Sequence, residues 1–142
     1  MHIKKKSLAY ITFDSLLLVF RQPDFPKAGI QVPKGTIEEG DTPEETIVRE
    51  IEEETGIIYE EKPLFIGETT VNLTKYSPAI NEHRFYFHCP LFSKPADEWE
   101  HYENHATGKD VPILFSFFWI PLHDAKSLLT AEQGELLHAI KD

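Results

Sequence analysis

The feature that most constrains this chain is a helix required to carry dense negative charge. Residues 43–55 read Pro-Glu-Glu-Thr-Ile-Val-Arg-Glu-Ile-Glu-Glu-Glu-Thr. Thr42 precedes them as an N-cap, and Pro43 takes the first helical position, where a missing N–H costs nothing. Glu45, three residues after Thr42, completes a Thr-x-x-Glu capping box. Gly56 stops the helix by adopting a left-handed conformation. Ile47, Val48 and Ile51 form a short apolar stripe for a core. On the remaining surface Glu50 lies three residues from Glu53 and four from Glu54, with Glu52 nearby. Each like-charge pair at that spacing costs roughly 0.2–0.5 kcal/mol, and Arg49, four before Glu53, offsets only part of the cost. A hard divalent cation offsets it better; Mg2+ takes a few carboxylate oxygens and shares its other positions with water and phosphate. The alternative is an ordinary solvated acidic face.

The loop before the helix favours the cation. Pro33-Lys34-Gly35 and Gly40-Asp41 give a backbone able to turn sharply and present carbonyls beside the helix. Such a carbonyl suits a hard metal.

Residues 35–57 resemble the Nudix box, the signature of the Nudix hydrolases. Its fixed positions correspond here to Gly35, Asp41, Arg49, Glu50, Ile51, Glu53, Glu54, Gly56 and Ile57. Asp41 stands where the family usually has Glu. Its shorter reach bears on any outer metal role of that position, and its plainer role is as an acidic neighbour of the cap. The resemblance implies an α/β fold, a Nudix-like α/β/α sandwich with a mixed β-sheet, as a single domain over residues 1–142. It also implies hydrolysis of a nucleoside diphosphate linked to a further group. By the same resemblance Glu50, Glu53 and Glu54, with the Gly35 carbonyl, hold Mg2+ (Mn2+ as a substitute), and Arg49 orients a carboxylate through Glu53. Arg49, Glu50 and Glu53 are the catalytic candidates. A diphosphate repels nucleophiles, so the cation neutralises charge and activates water. Which carboxylate is the general base stays open, and the family also draws it from a loop outside the box.

Composition sets bounds. A chain of 142 residues suits one domain with a real core. A net charge of −10 argues against nucleic acid as a partner. It does not argue against an anionic small molecule, because a bound cation reverses the local sign. Cys89 is the sole cysteine, which excludes an internal disulfide and suits a reducing cytoplasm. Lys4-Lys5-Lys6 before an apolar run imitates a signal peptide, but Asp14 breaks the run and no cleavage site follows. No segment is long and apolar enough to span a membrane.

Residues 7–13 and 16–21 read as strands joined at Asp14-Ser15, the second apolar enough to be covered on both faces. Residues 22–29 form a loop, and 30–32 a short strand entering the box. Lys27 and Lys34 are candidate phosphate contacts or surface lysines. Residues 57–59 and 63–73 read as strands, 75–81 as a turn-rich link, and 82–92 as a strand with period two. Arg84 in that strand is a phosphate contact or an ion-pair residue.

Residues 93–112 read as one long loop, of the kind that is functional or mobile in small domains. Within it Trp99 and Tyr102 are able to stack on a base, although packing under the loop also suits Trp99. Glu98, Glu100 and Glu103 can supply an outlying base or ligand, with Glu100 and Glu103 preferred. His101 and His105 lack the rest of a zinc motif. Residues 111–122 form the last strand with Trp119 in the core, 123–129 a short helix, and Thr130 opens a second capping box into a closing helix.

The leading function is a Mg2+-dependent nucleotide pyrophosphohydrolase acting on a nucleoside di- or triphosphate. Diadenosine polyphosphates and ADP-ribose are the alternatives, since Tyr76 lies a little beyond the tyrosine of the former group and no proline marks the latter. A Nudix-fold module without turnover is the non-enzymatic alternative. The intact Glu50, Glu53 and Glu54 favour the enzyme. Family habit leaves a homodimer open.

Overall fold

The computed structural model describes residues 3–75, 81–103 and 111–140. One mixed sheet runs through them, built from β1 (Ile3–Phe13), β2 (Leu16–Arg21), β3 (Lys34–Thr36), β4 (Leu64–Asn72), β5 (Asn81–Pro90), β6 (Trp99–Glu103) and β7 (Ile113–Pro121). The strand order is β4-β5-β1-β2-β7-β6, with β3 paired to β1. Only β1 and β5 run parallel; the other pairs are antiparallel.

Residues 8–11 of β1 are wholly buried, because helices or turns cover both faces of the sheet there. On one face α1 (Pro43–Thr55) lays Ile47 and Ile51 over Ala9, Ile11, Leu18, Phe20, Phe87 and Phe117. On the other, α2 (Leu122–Leu128) and residues 129–140 cover Leu8, Tyr10, Leu17, Val19 and Tyr86. The architecture is the expected α/β sandwich.

The partner of β1 changes along its length. Residues 6–8 pair with β3, and residues 12–13 with β2. β2 continues outward to β7 and β6. β3 is therefore separated from β6 and β7, and a cleft lies between them, beside α1.

Four expectations are corrected. Residues 30–32 make only isolated bridges, Phe20 to Gln31 and Ile30 to Leu129, and the strand starts after Pro33. Residues 57–59 form no strand; Tyr59 is buried and donates its hydroxyl to the Pro90 carbonyl. The long loop contains β6, whose residues pair in register with β7. The closing helix is replaced by turns and a 3-10 turn at Leu137–Ala139, because Ala131 (φ 51°) and Glu132 (φ 61°) are left-handed. That reversal brings buried Gln133 to the sheet. Its side-chain oxygen accepts from the Val32 N–H at 2.8 Å and its carbonyl from Tyr10 at 2.6 Å. Tyr76 and His105 lie outside the described residues.

Arg84 is fully buried beneath this C-terminal segment. Nε donates to Glu82 at 2.9 Å, Nη2 to the Ala131 carbonyl at 2.9 Å, and Nη1 to Tyr86 and Glu135 at 3.2 and 3.3 Å. Tyr86 donates in turn to Glu135. Removing one member of a buried, hydrogen-bonded ion network strands the others. Arg84→Ala is expected to lower the unfolding free energy by about 3 kcal/mol, read as a lower urea midpoint at unchanged slope. A midpoint equal to wild type would show that the network adds nothing.

Candidate active site

The cleft has a volume of about 420 Å³ and draws its walls from β3, α1, β6 and β7, with Lys6 of β1. α1 starts and stops where its signals place it. Thr42 accepts from the Glu45 N–H at 3.1 Å, Glu45 reaches back to the Thr42 N–H at 2.9 Å, and Gly56 is left-handed at φ 84°. With both ends capped and Ile47 and Ile51 in the core, the acidic face has one orientation, toward β3 and β6.

Gly35 is needed for a close approach, not for a special φ. A Cβ there would lie 2.1 Å from Cγ and 2.2 Å from Cδ of Glu50. The bare backbone thus lets Glu50 lie directly against β3. One residue earlier the Lys34 N–H donates to Oε1 of Glu54 at 3.1 Å.

Glu50, Glu54 and Glu103 bring one oxygen each to within 4.8 Å of one another. Glu54 and Glu103 are buried. Burial, followed by Glu53 and Glu103, pushes the Glu50 carboxyl up to about 7. Burial, then Glu50 and Glu103, pushes Glu54 well above the carboxylate range. Glu50 and Glu54, disfavoured as anions by one another and by Glu103, offer converging hard oxygens that fit a divalent cation.

Arg49 faces Glu53 four residues on, as the spacing implies, and Glu50 and Asp41 besides. Its Nη1 donates to Asp41 at 3.0 Å, while Glu50 and Glu53 lie 3.9 Å from Nε. Asp41 thereby anchors the guanidinium between the two carboxylates. Its bond is also the first cause holding Arg49 above its ordinary pKa.

The other candidates separate by strand alternation. Trp99 and Glu103 occupy one face of β6, while Glu100 and Tyr102 are on the opposite, exposed one. Glu103 lines the cleft and Glu100 does not. Trp99 stacks on Phe117 with centroids 5.3 Å apart and donates Nε1 to the Thr55 carbonyl at 2.9 Å, so it is a packing residue rather than a free stacking surface. Arg84 is likewise withdrawn from the substrate candidates, its guanidinium being spent in the buried network. Lys34 lines the cleft and lies 3.7 Å from Glu82; burial pushes its ammonium down to about 8 against the pull of Glu82. Glu53 lines the cleft but is outside the tight trio. Lys27 lies in the exposed 3-10 turn Pro26–Ala28, away from the cleft.

Thr36 and Glu38 line the cleft without having been singled out from the sequence, and so does Lys6. It donates to Thr36 Oγ1 at 2.7 Å. Its signal was present only in combination, as one lysine of three on a strand that must alternate and must pair beside the box.

Fold and cleft together define an α/β protein with a carboxylate-lined site at a loop–helix junction. The NUDIX domain family model matches residues 6–140, and the chain belongs to the Nudix family. No curated protein sequence matches it. Solved structures match throughout. A MutT NUDIX hydrolase from Burkholderia pseudomallei is 20% identical with a TM-score of 0.67, covering 99% of this chain and all of that one. The E. coli dihydroneopterin triphosphate pyrophosphohydrolase is 18% identical with a TM-score of 0.68, covering 97% and 96%. The NUDIX domain of Shewanella oneidensis NrtR, solved with ADP ribose, is 14% identical with a TM-score of 0.64, covering 97% and 84%. Among the described residues no helix is long and apolar enough to cross a membrane.

The raised carboxyls set the pH dependence of the cation-free protein. Glu50 titrates near 7 when folded, above its ordinary 4.5, so the folded state binds the extra proton between these values. The stability it contributes is complete below about 4.5 and is lost as pH rises through 7, and Glu54 acts in the same direction. Thermal unfolding with chelator present is expected to show a falling Tm from pH 5 to 8, and millimolar Mg2+ to restore it most at pH 8. A flat cation-free profile would contradict this.

Proposed function

We propose that this chain is a Mg2+-dependent pyrophosphohydrolase that cleaves the diphosphate linkage of a nucleoside diphosphate derivative, a nucleoside di- or triphosphate foremost. The observation that carries the reading is the convergence of Glu50, Glu54 and Glu103 beside the glycine that lets Glu50 reach β3. Glu50 and Glu54, with Glu53 and the Gly35 carbonyl, are the residues that would hold the cation. When bound, the cation neutralises diphosphate charge and lowers the pKa of water.

The protein's own groups do the rest. Arg49, anchored by Asp41, keeps Glu50 and Glu53 turned into the cleft. Glu103 comes from β6, outside the box, and faces the helix carboxylates across the cleft. It is the proton acceptor for the attacking water, in the role expected of an outlying base. Lys34 offers its ammonium to a phosphate oxygen. The reading as one catalytic domain is supported by the family match over residues 6–140 and by neighbours of similar length. A cytoplasmic site of action suits the single, buried Cys89.

The neighbours include a triphosphate pyrophosphohydrolase and a domain crystallised with ADP ribose, so both substrate types belong in the assay. Release of phosphate or nucleotide is expected with Mg2+ and to vanish with chelator. Glu53→Gln is expected to remove most turnover while leaving the fold intact; near-normal activity would remove Glu53 from the machinery. Glu103→Gln is expected to lower kcat by roughly 10²–10⁴-fold with Mg2+ affinity largely kept. A loss of Mg2+ affinity instead would make Glu103 a ligand. Tight nucleotide binding by a wild-type protein silent on the whole panel would favour the non-catalytic module.

A further inference from the structure

Glu103 stands on a strand with a single neighbour in the sheet. β6 ends the strand order and pairs with β7 alone. Register with β7 decides which of its side chains face inward. The height of the strand over α1 is left to other contacts.

Those contacts come from the inward face. Trp99, His101 and Glu103 alternate on it, and each meets the C-terminal end of α1. Trp99 donates Nε1 to the Thr55 carbonyl at 2.9 Å. His101 packs on Gly56, where a Cβ would lie 3.2 Å from Cδ2 and 3.3 Å from Nε2. Glu103 brings an oxygen within 4.8 Å of those of Glu54 and Glu50.

The Trp99 bond joins two well-fixed ends. The carbonyl of Thr55 belongs to the last turn of α1 and has no partner along the helix, so the indole N–H satisfies it. Thr55 is buried, donates its hydroxyl to the Ile51 carbonyl at 2.6 Å and accepts from the Ile57 N–H at 2.9 Å. On the other side the indole stacks on Phe117, with centroids 5.3 Å apart. Phe117 belongs to β7 and is the residue paired with Trp99, so the stack ties β6 to β7. The N–H ties β6 to α1. One residue before Thr55 is Glu54, and four after Trp99 is Glu103.

We propose that Trp99 is a positioning residue for the reaction, setting through its bond to Thr55 how near Glu103 lies to the carboxylates of α1. The proposal rests on the reading of Glu103 as the proton acceptor. Trp99 does not line the cleft. It stands roughly 13 Å along the strand from Glu103, at about 3.3 Å per residue, and acts through the backbone between them. A base must lie within hydrogen-bond reach of the water it deprotonates. A misplacement of about 1 Å costs on the order of 10²-fold in rate.

The test is a double-mutant cycle in steady-state kinetics with Mg2+, built from Trp99→Phe, Glu103→Gln and the pair, on the best substrate of the panel. Trp99→Phe keeps a ring against Phe117 and loses the N–H. It is expected to lower kcat roughly 10-fold, with KM and the Mg2+ dependence little changed. In the Glu103→Gln background the same substitution is expected to change kcat by less than about two-fold, because a group acting through Glu103 has nothing left to place. If Trp99→Phe does not fold, 3-benzothienylalanine at residue 99, an indole isostere without the N–H, carries the same expectation. Wild-type kcat with a lowered Tm would make the bond purely structural and overturn the assignment. So would a loss confined to KM or to Mg2+ dependence, or equal kcat losses in both backgrounds. Wild-type kcat in Glu103→Gln would remove the base and the positioning role together, while metal-dependent hydrolysis would stand. A wild-type protein silent on the whole panel would remove both readings.

Discussion

The site depends on how closely α1 lies against β3. Glu50 occupies the volume that a side chain on residue 35 would fill, and the adjacent Lys34 N–H holds Glu54. The helix cannot relax away from this contact. Its N-terminus is closed by the capping box and tied to β1 by the Ser7 hydroxyl, which donates to the Pro43 carbonyl at 2.8 Å. Its apolar stripe is wholly buried at Ile47 and Ile51. The acid is thus held in place by packing that it does not itself favour.

That arrangement stores a local electrostatic conflict. Glu50 and Glu54 are pushed toward their neutral forms by burial and by one another, beside a third carboxylate from a different strand. A domain selected for stability alone gains nothing from such a cluster, and local rules are broken mainly where function requires it. Lys6 and Lys34 of the same cleft are drawn out of water as well, with Glu82 and Glu54 opposing the loss of their charge.

Legibility in the sequence followed the range of the forces involved. α1 was readable to the residue because caps and helix stops act over a few positions. β1, β2, β5 and α2 were readable from short apolar patterns. β6 was not. Its five residues alternate, but acidic neighbours and flanking turns give it the composition of a loop, and only pairing with β7 makes it a strand. The closing helix failed for the converse reason. Thr130 begins a good local capping pattern, yet tertiary bonds to Gln133 and Arg84 hold Ala131 and Glu132 left-handed. Arg84 and Trp99 carried chemistry-bearing side chains, but burial committed both to structure.

By itself the sequence determined the family, the helix with its caps, and the carboxylates that helix displays, since all of these reside in contiguous residues whose spacing is set by 3.6 residues per turn. Only the tertiary structure decided which acid from outside the box joins them. Glu103 and Glu100 are nearly equivalent in sequence, and strand register turns one into the cleft and the other to solvent. Register likewise brought Lys6 beside Lys34, and the folding of the C-terminal segment removed Arg84 from any ligand. Each is a pairing between residues far apart in the chain, fixed when the buried faces of the sheet choose their partners.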